Sequence, residues 1–310
     1  MNRKRGRKPK RRLFKVFIFA VLAVSVYAFY TFIIAGNGGE HILADRSSAR
    51  AASPTRLQAE ESSNRPPADF PLFTAEVSVN NIEDTQYLKL VNRDRGITAP
   101  VCNTRLTTVW PDMPARASYV SLHKTAFSAM RELFTAAQNA NINGLFIASG
   151  YRTHEEQRYL HDNAVDKAYV MPPGHSEHQL GLAADILSSA DIPSMRGSEE
   201  ARWLAENAPE FGLILRYPED KIDITGVPYE PWHFRYVGRV HAWFMGQRDF
   251  VLEEYIAYLQ ANGGYQAEFA GRTYYVLYQR PENGMIFVPE HSNFWISSAN
   301  TGGYIVTAWR

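Results

Sequence analysis

The chain has 310 residues, 45% of them hydrophobic, and a formal charge of +1. That is enough apolar material for one sizeable core and an appendage, and the lone cysteine, Cys102, excludes an intramolecular disulfide or a cysteine-rich metal cluster. The charge is unevenly placed: nine basic residues lie between Arg3 and Lys15, and removing them from the 33 in the chain leaves 24 against 32 acidic ones, about −8 for the remainder, which makes nucleic acid an unsuitable partner.

Residues 1–15 read as a basic cytoplasmic tail. Val16 to Ala35 is an apolar run interrupted only by Ser25 and Thr31, about the length that crosses a bilayer as a helix. Its positive flank sets the N-terminus on the cytoplasmic side and the rest of the chain outside. A cleaved signal peptide is the alternative, disfavoured by the length of the run and by the poor cleavage site at Ile33 and Ala35. Residues 36–71, rich in Ser, Ala, Pro, Asn and charge, read as a flexible stalk.

The body begins near residue 72. Ala126, Met130, Leu133, Phe134 and Ala137 follow helical spacing, so one helix packs a face on the core. Leu145 to Ala148 is a short buried strand that delivers Ser149 to Arg152 into a loop. Thr153 with Glu156 forms a capping box that opens the next helix. This sets Arg152 just before a helix N-terminus and Gln157 in its first turn, beside amides that favour anions.

Ser176 to Asp185 reads S-E-H-Q-L-G-L-A-A-D, and Glu230 to His233 reads E-P-W-H. Two imidazoles, a carboxylate and a further Glu suit a catalytic zinc site, with three protein ligands, one open position and a general base alongside. His178 and Asp185 would lie roughly 23 Å apart in an extended chain, so the chain must turn back between them, and Gly181 is placed to allow it. Glu230 and His233 are three residues apart, which a bent segment brings together and a regular strand does not, and Pro231 argues against a plain central strand. With His178, Asp185 and His233 as ligands of one zinc per chain, Glu230 remains to take a proton from the attacking water. A Ser176-His178-Asp185 triad is the competing reading, but no G-x-S-x-G turn surrounds Ser176. Nothing pairs Cys102 with a motif histidine, so it reads as structural. His154, His161, His175 and His241 fall outside the ligand pattern and read as structural or solvated.

From residue 263 to the C-terminus the texture becomes β-branched and aromatic. Glu268 to Phe269, Thr273 to Gln279, Met285 to Val288, Phe294 to Ile296 and Tyr304 to Trp309 are β-branched or aromatic runs, with turn signals between them at Gly271-Arg272, Glu282-Asn283-Gly284 and Thr301-Gly302-Gly303, the pattern of a small antiparallel meander.

The joint pattern S-x-H-x-x-G-x-A-x-D with E-x-W-H resembles the VanY-like zinc D-alanyl-D-alanine carboxypeptidases, related to the lysostaphin and hedgehog folds. L-V-N-R-D at Leu90 to Asp94, S-G-Y-R-T at Ser149 to Thr153, W-L-A-E-N-A at Trp203 to Ala208 and G-L-I-L-R-Y-P at Gly212 to Pro218 agree in order. The resemblance covers roughly residues 85 to 260. It implies an α+β fold over residues 72–262, an antiparallel sheet backed by helices, followed by the β appendage of residues 263–310. It implies removal of the terminal D-alanine from peptidoglycan stem peptides, with Arg152 gripping the substrate carboxylate or developing oxyanion and Gln157 and Ser176 as further substrate contacts. The alternatives are an L,D-carboxypeptidase, a D,D-endopeptidase of peptidoglycan, and a non-catalytic wall-binding module, which retention of Glu230 and all three ligands disfavours.

Overall fold

Ala183 to Leu187 reads A-A-D-I-L, small and apolar except for one carboxylate, and it forms an inner strand of the sheet that carries the site. The structure is a computed structural model that describes residues 73–97, 105–188 and 195–310. The expected tail, apolar run and stalk, and Cys102, lie outside the described residues. Among those described, no helix is long and apolar enough to cross a membrane.

The strands in chain order are β1 (Phe73–Ser78), β2 (Leu106–Thr108), β3 (Ser121–His123), β4 (Phe146–Ser149), β5 (Ala183–Leu187), β6 (Leu213–Leu215), β7 (His233–Tyr236), β8 (Gly264–Phe269), β9 (Arg272–Gln279), β10 (Met285–Pro289), β11 (Asn293–Ser298) and β12 (Tyr304–Trp309). The main helices are α1 (Lys124–Asn139), α2 (His154–Asp162), α3 (Glu199–Asn207), α4 (Arg239–Arg248) and α5 (Leu252–Asn262).

The first four-stranded sheet has the order β4-β5-β7-β6, and every pairing in it is antiparallel. Its inner strands are short and nearly all buried, as strands covered on both faces must be. Helix α1 buries the apolar face its spacing predicts, Ala126, Met130, Leu133, Phe134 and Ala137. Helix α2 opens with the expected reciprocal cap: the Glu156 amide donates to Thr153 Oγ1 at 3.1 Å and the Thr153 amide to Glu156 Oε2 at 2.8 Å.

The C-terminal strands form where the sequence puts them, but not as a meander. Their sheet has the order β8-β9-β12-β11, while β10 leaves it to pair with β1 from the other end of the described chain. The reason is packing. Ile286 and Val288 of β10 lie in one apolar cluster with Phe73 of β1 and with Leu277, Ile296 and Val306 of the sheet, so β10 covers that sheet's face and does not extend its edge. A second cluster joins Leu88, Leu90, Ile214 and Val237 to Met245, Leu252, Ile256 and Leu259 of the helices and to Val276 and Ile305 of the C-terminal sheet. Residue 263 therefore marks a change from helix to strand within a continuous core.

Candidate metal centre

Cross-strand register does most of the assembly. Asp185 in β5 and His233 at the start of β7 are directly paired, and paired residues project on the same face of a sheet. His178 is carried on a 3₁₀ turn at Glu177–Leu180 that ends at Gly181 with φ 68°. A Cβ at Gly181 would stand 2.9 Å from the Leu106 side chain and 3.2 Å from the His123 amide, so the turn needs glycine for both its conformation and its space. Glu230 precedes β7 across a tight bend in which the His233 amide donates to the Glu230 carbonyl at 3.1 Å. The bend places Glu230 and His233 side by side, with Pro231 ahead of the strand and not within it.

The three expected ligands converge. One donor atom from each of His178, Asp185 and His233 lies within 4.8 Å of the others, the only such group of three among the described residues. His178 Nε2 is 3.4 Å and His233 Nδ1 is 3.1 Å from Asp185 Oδ1. Tetrahedral ligands at zinc bond lengths stand about 3.3 Å apart, so the donors have the span that zinc requires, and two imidazoles with one carboxylate are a donor set of the catalytic kind. The outer nitrogen of each ring is also occupied. His178 Nδ1 is 2.7 Å from the Gly150 carbonyl, which can only accept, so the proton sits there and the Nε2 lone pair faces inward. His233 Nε2 lies 3.4 Å from Glu177 Oε2.

Burial and neighbouring charge divide the titratable groups. Burial, then the Arg152 guanidinium, lower the His178 pKa to about 4. For His233 burial acts downward, but the carboxylates of Asp185 and Glu177 more than reverse it, to about 9 in the metal-free chain. Burial opposes ionisation of Asp185 as well, yet the two histidines hold its carboxyl well below the usual range. Glu230, buried and 3.8 Å from His233 Nδ1, is pushed up to about 8 by burial, with the nearby Asp185 adding to the effect and His233 opposing it.

Arg152 approaches the cluster from the loop after β4. Its Nε donates to Ser149 Oγ at 3.2 Å, Nη1 to Gln157 Oε1 at 3.0 Å and Nη2 to Asp185 Oδ2 at 3.2 Å. Two of its five N–H groups are left for another partner. Gln157 is fully buried, and its Nε2 donates to the Met171 carbonyl at 2.7 Å. Its side-chain oxygen fixes the Arg152 guanidinium, and its burial behind that group leaves Arg152 as the nearer of the two to any bound substrate. Ser176 is buried at the start of the 3₁₀ turn, where its hydroxyl makes no capping bond.

The sequence reading missed the layer beneath. Glu177, Arg216 and Arg235 are all buried. Arg216 Nε and Arg235 Nη1 each donate to Glu177 Oε1 at 2.8 Å. Although burial opposes ionisation of Glu177, these two guanidiniums hold its carboxyl far below the ordinary carboxylate range. The available signal was a charge inside an apolar run, in G-L-I-L-R-Y and W-H-F-R-Y.

Residues 119–239 match the VanY family, described as D-alanyl-D-alanine carboxypeptidase. A D-alanyl-D-alanine carboxypeptidase of Enterococcus faecium is 38% identical over 193 residues, 62% of this chain and 63% of its own length. The chain thus spans somewhat less than two thirds of that relative. Among solved structures, the vancomycin-resistance D,D-dipeptidase VanXYg, in complex with a D-Ala-D-Ala phosphinate analogue, aligns with a TM-score of 0.66 at 29% identity, over 76% of this chain and 98% of that one. The LD-carboxypeptidase LdcB aligns with a TM-score of 0.51 at 31% identity, over 60% of this chain and 94% of that one.

Proposed function

The chain belongs to the VanY-like family of zinc D,D-carboxypeptidases, and on that premise we propose that it removes the terminal D-alanine from peptidoglycan stem peptides. The observation that carries this reading is Glu230, a buried carboxyl adjacent to His233 Nδ1 but outside the three-donor set. Such a group is free to move protons.

His178, Asp185 and His233 would hold the zinc. When bound, zinc supplies a Lewis acid for the scissile carbonyl and lowers the pKa of water. Glu230 takes a proton from the attacking water as its oxygen bonds to the carbonyl carbon. It then passes that proton to the amine nitrogen as the C–N bond breaks, leaving a shortened stem and free D-alanine. A raised pKa suits both halves of this task, since the group must accept and then release a proton near neutral pH. Arg152, with two N–H groups still free and its plane fixed by Ser149, Gln157 and Asp185, is the fork for the substrate's terminal carboxylate. Ser176, at the mouth of the metal turn, is a candidate further contact.

Similarity to LdcB at 31% identity favours one second reading, an L,D-carboxypeptidase acting on tetrapeptide stems. For placement in the cell, the apolar run 16–35 and its basic flank support a single-pass anchor with the body outside the membrane.

One experiment covers both. Cells producing the full chain are given defined tripeptide, tetrapeptide and pentapeptide stems from outside, and products are read by mass spectrometry before and after lysis. Loss of a single D-alanine from the pentapeptide by intact cells is expected. Cleavage of the tetrapeptide alone would move the reading to L,D, and activity appearing only after lysis would overturn the topology.

A further inference from the structure

A neutral imidazole carries one N–H and one lone pair, and zinc takes the lone pair. His233 can therefore ligate through Nδ1, the nitrogen that faces Asp185 and Glu230, only if its proton is kept on Nε2. Something must hold it there.

Nε2 points away from the donor set, toward Glu177 Oε2 at 3.4 Å. An ionised carboxylate only accepts, so it favours an N–H on the nitrogen that faces it. Asp185 Oδ1, 3.1 Å from Nδ1, does the same on the inner side, and that contact is the one zinc would replace, leaving Glu177 to hold the remaining proton on Nε2. We propose that Glu177 is a positioning residue that locks His233 in the Nε2–H tautomer and so presents Nδ1 to zinc. This rests on the zinc reading given above.

The surroundings of Glu177 fit such a role. Its other oxygen is gripped by two guanidiniums at 2.8 Å each, and all three side chains are fully shielded from solvent. Arg216 is in turn fixed by Glu253, Nη1 to Oε2 at 2.8 Å and Nη2 to Oε1 at 2.7 Å. Arg235 is fixed by the carbonyls of Gln86, Tyr87 and Lys89, all within 3.3 Å of its Nη2. The carboxylate cannot swing away from the ring. Buried ion pairs of this kind are poor contributors to stability, since well-packed apolar residues do as well or better. Their placement against the outer nitrogen of a metal ligand gives the charges a use that stability does not. Backbone geometry supports the arrangement: His233 and Arg235 alternate by two along β7 and share a face, and the Arg216 amide donates to the His233 carbonyl at 3.1 Å.

The test compares Glu177→Gln with Glu253→Gln in the full chain. The second variant removes a carboxylate from the same buried network without touching His233, and so reports what structural damage alone does. Zinc affinity is measured by chelator competition, and ring protonation by ¹⁵N NMR of histidine-labelled, zinc-loaded protein. Expected are a 10–100-fold weaker zinc affinity for Glu177→Gln, a change of less than about threefold for Glu253→Gln, and a wild-type His233 with its proton on Nε2. If Glu177→Gln does not fold, the wild-type tautomer decides. Zinc on Nε2, unchanged affinity in Glu177→Gln, or equal losses in both variants would overturn the proposal while leaving the zinc centre standing. A wild-type chain that takes up no zinc would overturn the zinc reading itself.

Discussion

Two of the buried histidine sites among the described residues, the one around His241 and the one holding His178 and His233, differ in what is left over once their hydrogen bonds are made. His241 of α4 is fully buried, with Nδ1 2.5 Å from Tyr255 Oη and Nε2 2.9 Å from Thr307 Oγ1, while Tyr255 reaches Tyr265 at 3.1 Å. Each ring nitrogen has a hydroxyl partner that can either donate or accept, so neither is spare. Burial alone lowers its pKa to about 3 and keeps the ring neutral. At the metal centre the outer nitrogens of His178 and His233 are occupied, but their inner nitrogens converge on a carboxylate and on Glu230. Burial of histidine is thus common to a structural joint and a reactive centre. Convergence of the inner nitrogens on one shared carboxylate, the arrangement a metal ion can take over, distinguishes the second.

The sharpest way to break this contrast is to empty one cluster and then the other. His178→Ala with His233→Ala removes two of three donors, and metal analysis should find no bound zinc; full occupancy would sink the ligand assignment. His241→Ala should instead cost about 2–4 kcal/mol of stability through a cavity and the hydrogen bonds lost by the hydroxyls of Tyr255 and Thr307, read as a lowered Tm. Its folded fraction should still bind one zinc per chain, and a variant lacking zinc would mean the two clusters are not independent.

A smaller effect sharpens the comparison through pH. His233 holds its proton up to about 9 in the metal-free chain, so zinc must displace that proton, and apparent affinity should rise by up to about tenfold per pH unit between pH 7 and 9. His178, already lowered to about 4, adds nothing in that range. The sign for the metal-free fold is opposite: a pKa raised above the unfolded value near 6.5 gives stability that is complete below it and is lost as pH rises through about 9. Chelator competition at pH 7, 8 and 9 tests the first statement, and a flat profile would contradict it.

Much of the centre was readable because its ligands sit in short motifs whose chemistry is local. Gly181 forced the turn, Asp185 and His233 faced each other once two strands were paired, and Thr153 with Glu156 announced the start of α2. Gln157 and the Glu177–Arg216–Arg235 layer were not readable in the same way. Their roles depend on which partners lie behind the site, and those come from positions 171, 216, 235 and 253, set by register and packing and not by spacing. The C-terminal strands showed the same limit. Alternation located each one, but only the shared apolar cluster with Phe73 determined that β10 would pair with β1.

In the proposed mechanism Glu230 moves protons beside a zinc it does not ligate. Glu230→Gln retains the residue's size and removes its basicity, so zinc content and turnover measured on the same preparation test the claim directly. Expected are one zinc per chain and a fall in stem-peptide turnover of at least about 10²–10⁴-fold. Unchanged hydrolysis, or loss of the zinc along with the activity, would contradict it.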